Sequence, residues 1–159
     1  MEFVYEEDAC GALRPVAGIL FYSGGALLSQ LPVKCLLDTG SAHTFLRWEL
    51  ADELGIDLGS ADDYGLDVSI GLGGKYRSGI KVVDLGLEVF CQQATGRIQI
   101  PSIPVLFVKD ELPFTGILGA SALRYLAVVF REYEGLANVR PAEDFYSDEC
   151  PHFNGGHPL

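Results

Sequence analysis

The chain of 159 residues is long enough for one domain with its own core and too short for two full lobes. A hydrophobic share of 48%, with nine Phe, seven Tyr and only 21% charged residues, excludes a disordered or low-complexity chain. Twenty-two acidic residues against eleven basic give a formal net charge of -11, which repels phosphate backbones and anionic lipid, so neither nucleic acid nor a membrane is an expected partner.

The four cysteines, Cys10, Cys35, Cys91 and Cys150, contain no C-x-x-C pair, and no charged segment followed by an apolar one starts the chain. The expectation is a reduced, cytoplasmic protein. The longest apolar runs, such as residues 125–130, fall far short of the ~18 residues that a membrane span needs.

From Val16 the sequence reads as short β segments. VAGILFY, a Gly24-Gly25 turn, ALLSQL and VKCLLD are rich in aliphatic residues and separated by Gly or Pro, the pattern of a hairpin-rich sheet. Beyond Asp38-Thr39-Gly40, Leu46, Leu50 and Leu54 recur four apart with Ala51 beside them. Gly55 is placed just past the end of the one short helix this predicts. Val68 and Ile70 then precede Gly71, Gly73 and Gly74, with strand-like residues from Ile80 onward, which predicts a β-hairpin with a flexible tip. IQIPSIPVLFV reads as a strand pair broken by prolines. TGILGASALRYLAVVF reads as a strand, a Gly-bearing turn, a single helical turn and a final strand. After Arg131 periodicity fades and six acids face one Arg, so residues 132–159 are expected to be an acidic C-terminal tail behind a domain at 1–131. No repeat at a solenoid period occurs.

Asp38-Thr39-Gly40 alone is a weak string, which ordinary residue usage produces by chance in roughly a few per cent of chains this long. Its context raises it. An apolar strand enters it, Ser41 follows, a glycine-tipped hairpin comes later, and Ile117-Leu118-Gly119 closes the core. In this order, from about residue 15 to residue 130, the motifs resemble the retropepsin-like aspartic proteases, single-lobe relatives of the retroviral proteases and of pepsin's half-domains.

The resemblance implies a mostly β fold, a closed antiparallel retropepsin-like barrel with one or two short helices. It also implies an aspartic endopeptidase acting on extended peptides with no metal and no cofactor. Such an enzyme activates water between two carboxylates; because like charges so close cannot both ionise, one stays protonated as acid while the other is the base. The chain supplies one such turn. Asp84, in VVDLGLE, lacks the following hydroxyl residue and reads as a strand or loop acid. The partner carboxylate is therefore expected from a second copy, two Asp38 side chains meeting across a two-fold axis of a homodimer.

By resemblance and chemistry together, Thr39 turns its hydroxyl toward the partner's backbone and Gly40 lets the backbone approach the carboxylate. Ser41 is expected to donate to the outer oxygen of Asp38. Gly71, Leu72, Gly73 and Gly74 correspond to the substrate-covering flap, and Ile117, Leu118 and Gly119 to the core motif beside the catalytic turn. One departure stands out. Retroviral members carry an Asp two residues after the DTG glycine and an Arg after the later glycine, paired in support of the dimer; this chain has Ala42 and Ala120. Both partners are missing together, so no unpaired buried charge remains.

Other readings are weaker. GLGGKYRS lacks the phosphate-loop spacing. Cys150, His152 and His157 could bind a metal but are more simply solvated, and His43 next to the turn either tunes it or faces solvent. Phe45 and Trp48 read as core. A rival reading is a non-catalytic dimerisation or peptide-binding module on the same fold. A further one has the tail covering the groove or dimer surface of a zymogen.

Overall fold

A computed structural model of the chain describes residues 1–8, 11–65, 80–90, 97–109, 112 and 114–143, and the backbone alone at 68–70 and 74–76. In chain order the elements are β1 (Glu2–Glu7), β2 (Leu13–Ser23), β3 (Ala26–Leu27), β4 (Val33–Leu37), β5 (Thr44–Arg47), α1 (Leu50–Glu53), β6 (Asp62–Asp63) and β7 (Val68–Ile70). They continue with β8 (Gly74–Tyr76), β9 (Lys81–Phe90), β10 (Ile98–Val108), β11 (Gly116–Leu118), α2 (Ala120–Leu123), β12 (Leu126–Arg131), a 3-10 turn (Glu132–Glu134) and β13 (Leu136–Pro141). The chain is mostly β with two single-turn helices, as its pattern predicts.

Alternation decides which face turns inward. In β2, Ala17, Ile19 and Phe21 are buried; in β9, Leu85, Leu87 and Val89; in β10, Val105 and Phe107. These side chains fill a closed barrel of six strands, β2-β4-β11-β5-β10-β9, sealed by the pairing of β9 back onto β2. Four of its joints are antiparallel, while β11–β4 and β10–β5 are parallel. The parallel joints follow from one topological feature. β4 and β5, consecutive in the chain, are not neighbours; β11 lies between them, parallel to β4 and antiparallel to β5. The 38–43 turn must therefore bridge the end of β11.

Local chemistry places the turns. Gly24 and Gly25, with φ of 55° and 83°, close the β2–β3 hairpin, both in the left-handed region that such a two-residue loop requires. At the end of α1, Gly55 (φ 67°) donates to Asp52 and Ile56 donates to Ala51, the paired bonds of a Schellman ending. Leu46, assigned to this helix by spacing, lies instead in β5.

The structure corrects two other elements. IQIPSIPVLFV is one strand, β10, with a register irregularity between Ile100 and Ile103. Pro101 and Pro104 are tolerated because β5 joins β10 only from Val105, leaving the earlier part paired on one side. The chain also remains part of the fold past Arg131: β13 pairs with β12 and with β1, and buries Ala137 and Val139 in the core. The acidic stretch is thus folded at least to Glu143, and 144–159 lies outside the described residues.

β1, β13 and β12 form a terminal sheet hung on the start of β2, with β12 at its edge. Val4 and Val129 in this sheet, Leu13 at the start of β2 and Tyr133 in the 3-10 turn expose large apolar side chains. Phe45 is buried in a second cluster with Ile80, Leu106 and Ile117, while Trp48 packs half-buried against the main one. Cys35 is a free thiol within the core, and Cys10, Cys91 and Cys150 fall outside the described residues. No helix among the described residues is long and apolar enough to cross a membrane.

Candidate active site

β4 delivers the chain to Asp38 at the rim of the barrel, where its N–H donates to Leu118 O at 3.0 Å as if β4 continued against β11. There the chain turns sharply. Gly40 N–H donates to Asp38 Oδ1 at 2.9 Å and Ser41 N–H to Asp38 O at 3.2 Å, so the carboxylate is oriented by the turn it begins. A Cβ on residue 40 would lie 3.2 Å from that oxygen, a close approach that favours glycine. Asp38 is half-buried and Thr39 exposed.

The far side of the turn is fixed by α2 and the residue before it. Ala120 N–H donates to Ser41 O at 2.7 Å and Ser121 N–H to Ala42 O at 3.2 Å. These main-chain bonds join the two segments at Ala42 and Ala120. Gly119 makes the approach possible, since a Cβ there would fall 2.1 Å from His43 O. Ile117, Leu118 and Gly119 thus pack beside the turn, all buried.

Ser41 differs from expectation. Its hydroxyl donates to His43 O at 2.8 Å, bracing the turn internally instead of reaching the Asp38 carboxylate. Sequence reading also missed Thr44 and Ser121. Thr44 is fully buried, its N–H donates to Ser121 Oγ at 3.1 Å, and the two hydroxyls are 3.0 Å apart. Thr44, four residues past Gly40 and just before Phe45-Leu46, and Ser121, between Ala120 and Ala122, were the available signal.

His43 has a partner. Its Nε2 lies 3.2 Å from Tyr64 Oη, and its ring meets Tyr64 and Phe45 edge-on, with centroids 5.5 and 6.2 Å away. The Ser41 hydroxyl is committed to the His43 carbonyl and not to its ring, so the two residues do not make a nucleophile–base pair. Asp84 is an exposed strand residue opposite Pro104, in no turn. The predicted hairpin is present as β7 and β8, with Ser69 opposite Lys75 and Ile70 opposite Gly74. Gly71, Leu72 and Gly73 lie outside the described residues.

Asp38 and Thr39 open onto a hollow of about 480 Å³, whose other wall is the terminal sheet and its 3-10 turn, through Tyr5, Leu13, Phe130 and Glu132. Burial, and secondarily the charge of Glu132, pushes the Tyr5 phenol above its ordinary value. Among the described residues no group of three or more His, Cys, Asp or Glu is placed to hold a metal, and Cys150, His152 and His157 lie outside them.

A strand-borne Asp-Thr-Gly turn is thus locked onto an Ile-Leu-Gly strand at the rim of a six-stranded barrel. Residues 24–122, well over half of the chain, match the family described as aspartyl protease, and the chain belongs to that family. Among solved structures it resembles a retropepsin-like aspartic protease from Rickettsia conorii, with a TM-score of 0.50 and 19% identity over 86% of this chain and 88% of that one. The EIAV protease complexed with the inhibitor HBY-793 gives 0.43 and 20%, over 70% and 86%. The retroviral protease-like domain of Ddi1 from Leishmania major gives 0.39 and 14%, over 81% and 97%. No curated protein matches.

Proposed function

We propose that this chain is an aspartic endopeptidase whose catalytic unit is a homodimer, with Asp38 of each copy sharing one proton and one water. The observation that carries the reading is the Asp38 turn itself. A half-buried carboxylate, oriented by Gly40 N–H at 2.9 Å, opens onto a hollow at the chain's single Asp-Thr-Gly, whereas the similar turn at Asp57, oriented by Gly59 N–H at 2.9 Å, is exposed and has Leu58 in place of the hydroxyl residue. In the dimer the ionised Asp38 takes a proton from the water as its oxygen adds to the scissile carbonyl, and the protonated Asp38 gives its proton to the carbonyl oxygen. Collapse of the resulting gem-diol breaks the C–N bond, and the amine leaves with a proton from the pair. No covalent intermediate and no metal enter.

The terminal sheet supports dimer formation. Val4 and Val129 on that sheet, with Leu13 and Tyr133 beside it, expose apolar surface next to the Asp38 hollow, and among the described residues β12 is an edge strand. Thr39, exposed in one copy, is free to bond the partner's backbone beneath the dyad. On this reading the β7–β8 hairpin with Gly71, Leu72, Gly73 and Gly74 is the flap over an extended peptide. The catalytic domain runs to at least Glu143, and the free buried thiol of Cys35 fits a reducing, cytoplasmic setting.

Cleavage of a complex peptide library from mildly acidic to neutral pH, wild type beside Asp38→Asn, tests this. Cuts that vanish in the variant support the peptidase. A folded, dimeric protein without Asp38-dependent cuts favours a peptide-binding module instead.

A further inference from the structure

His43 holds two segments at once. Its carbonyl accepts from Ser41 Oγ at 2.8 Å and lies against Gly119, so its backbone belongs to the catalytic turn. Its ring reaches Tyr64, which stands at the foot of the excursion carrying the β7–β8 hairpin. That foot is well anchored. Tyr64 N–H donates to Ile80 O at 3.0 Å, joining the two ends of the 65–79 segment. Immediately outside it, Asp62 and Asp63 pair with Val82 and Lys81, and Lys81 Nζ bonds Asp63 at 2.9 Å and Ala61 O at 3.0 Å. Ile80 is buried with Phe45 and Ile117, and Tyr64 packs against the same cluster. The strands flanking the turn and the feet of the hairpin therefore share one small core, and the His43–Tyr64 bond is a polar link across it.

We propose that His43 and Tyr64 are a positioning pair that couples the catalytic turn to the hairpin's feet and so fixes how the hairpin meets a substrate lying at Asp38. This rests on the flap reading above. Either imidazole tautomer makes the bond, because a tyrosine hydroxyl both donates and accepts. A displacement at His43 passes through Tyr64 to the joined ends of the 65–79 segment. The pair acts on substrate capture and not on the proton transfers, so its loss raises KM with little change in kcat.

Three variants separate this from simple packing. Tyr64→Phe keeps the ring and removes the hydroxyl; the loss of one neutral hydrogen bond raises KM about two- to tenfold, with kcat within about twofold. His43→Gln carries an amide as far out as imidazole Nε2 and retains the wild-type KM, whereas the shorter His43→Asn behaves like Tyr64→Phe. The double variant Tyr64→Phe/His43→Asn is no worse than the poorer single one. A readout independent of turnover is amide hydrogen exchange over the 65–80 peptide in an Asp38→Asn background. Exchange is faster with Tyr64→Phe and His43→Asn and unchanged with His43→Gln. Unchanged KM and exchange in Tyr64→Phe overturn the proposal, and so does equal damage from Gln and Asn with a parallel fall in melting temperature, which would mark a packing role. Failure of the peptidase reading appears separately, as absence of Asp38-dependent cutting, and the exchange arms then decide the coupling alone.

Discussion

Replacing Gly119 by alanine places one methyl group where the structure has no room. The new Cβ would lie 2.1 Å from His43 O, 2.6 Å from His43 C and 2.7 Å from Ser41 O, all backbone atoms that cannot rotate away. Reaching even 3.0 Å from the nearest of them requires the turn to move by about 1 Å. Two bonds that define the turn flank this point, Asp38 N–H to Leu118 O and Ala120 N–H to Ser41 O. Overpacking costs about 1–3 kcal/mol and each weakened hydrogen bond about 1 kcal/mol, giving about 3–5 kcal/mol in all. For a domain of this size that lowers the melting temperature by roughly 6–20 °C. On the proposed function, a displacement of about 1 Å at the Asp38 carboxylate also lowers kcat/KM by about a hundredfold in whatever remains folded. Urea denaturation with peptide turnover on the same preparation measures both. Gly135→Ala is the control. With φ 64° and nothing within 4 Å of its Cβ, it meets only backbone strain of about 1–2 kcal/mol, away from the turn. A Gly119→Ala protein as stable and active as wild type would refute the packing of the turn against β11.

Burial raises the Cys35 thiol far above its ordinary value of 9.0, so above that pH the unfolded chain loses a proton that the folded chain keeps. Stability then falls with rising pH by up to about 1.4 kcal/mol per unit, and Cys35→Val flattens this loss in urea melts compared at pH 8 and 10. Glu132 lines the same hollow as Asp38 but is exposed, and Glu132→Gln is expected to keep turnover within about threefold; a loss as complete as that of Asp38→Asn would indicate a dyad within one chain. Val129→Glu sets like charges on the exposed edge strand β12, and sedimentation should show the dimer weakened by about tenfold.

The parts of this fold written in local chemistry were legible in the sequence. The Gly24-Gly25 turn, the helix ending at Gly55, the hairpin near Gly74 and the single turn of α2 depend on residues within a few positions of one another. The DTG and Ile-Leu-Gly motifs pointed to the fold because their residue types answer to close backbone approach. What escaped depends on partners distant in the chain. Nothing near Pro101 says that β10 has one neighbour before Val105 and two after it. Residues 137–140 alternate apolar and polar for only four positions, and β13 is held by β1, more than 120 residues earlier. The insertion of β11 between β4 and β5 explains the buried Thr44–Ser121 contact and the turning of Ser41 toward His43, and neither can be read without that topology.

The central claim is that two copies share one pair of carboxylates, and mixing chains tests it most directly. Wild type held at fixed concentration is incubated with increasing Asp38→Asn protein, exchanged to equilibrium and assayed. If each dyad draws one Asp38 from each copy, mixed dimers are dead, and an equal amount of variant lowers activity to about half, with further additions lowering it toward zero. Activity that stays constant, however much variant is added, would contradict the shared dyad.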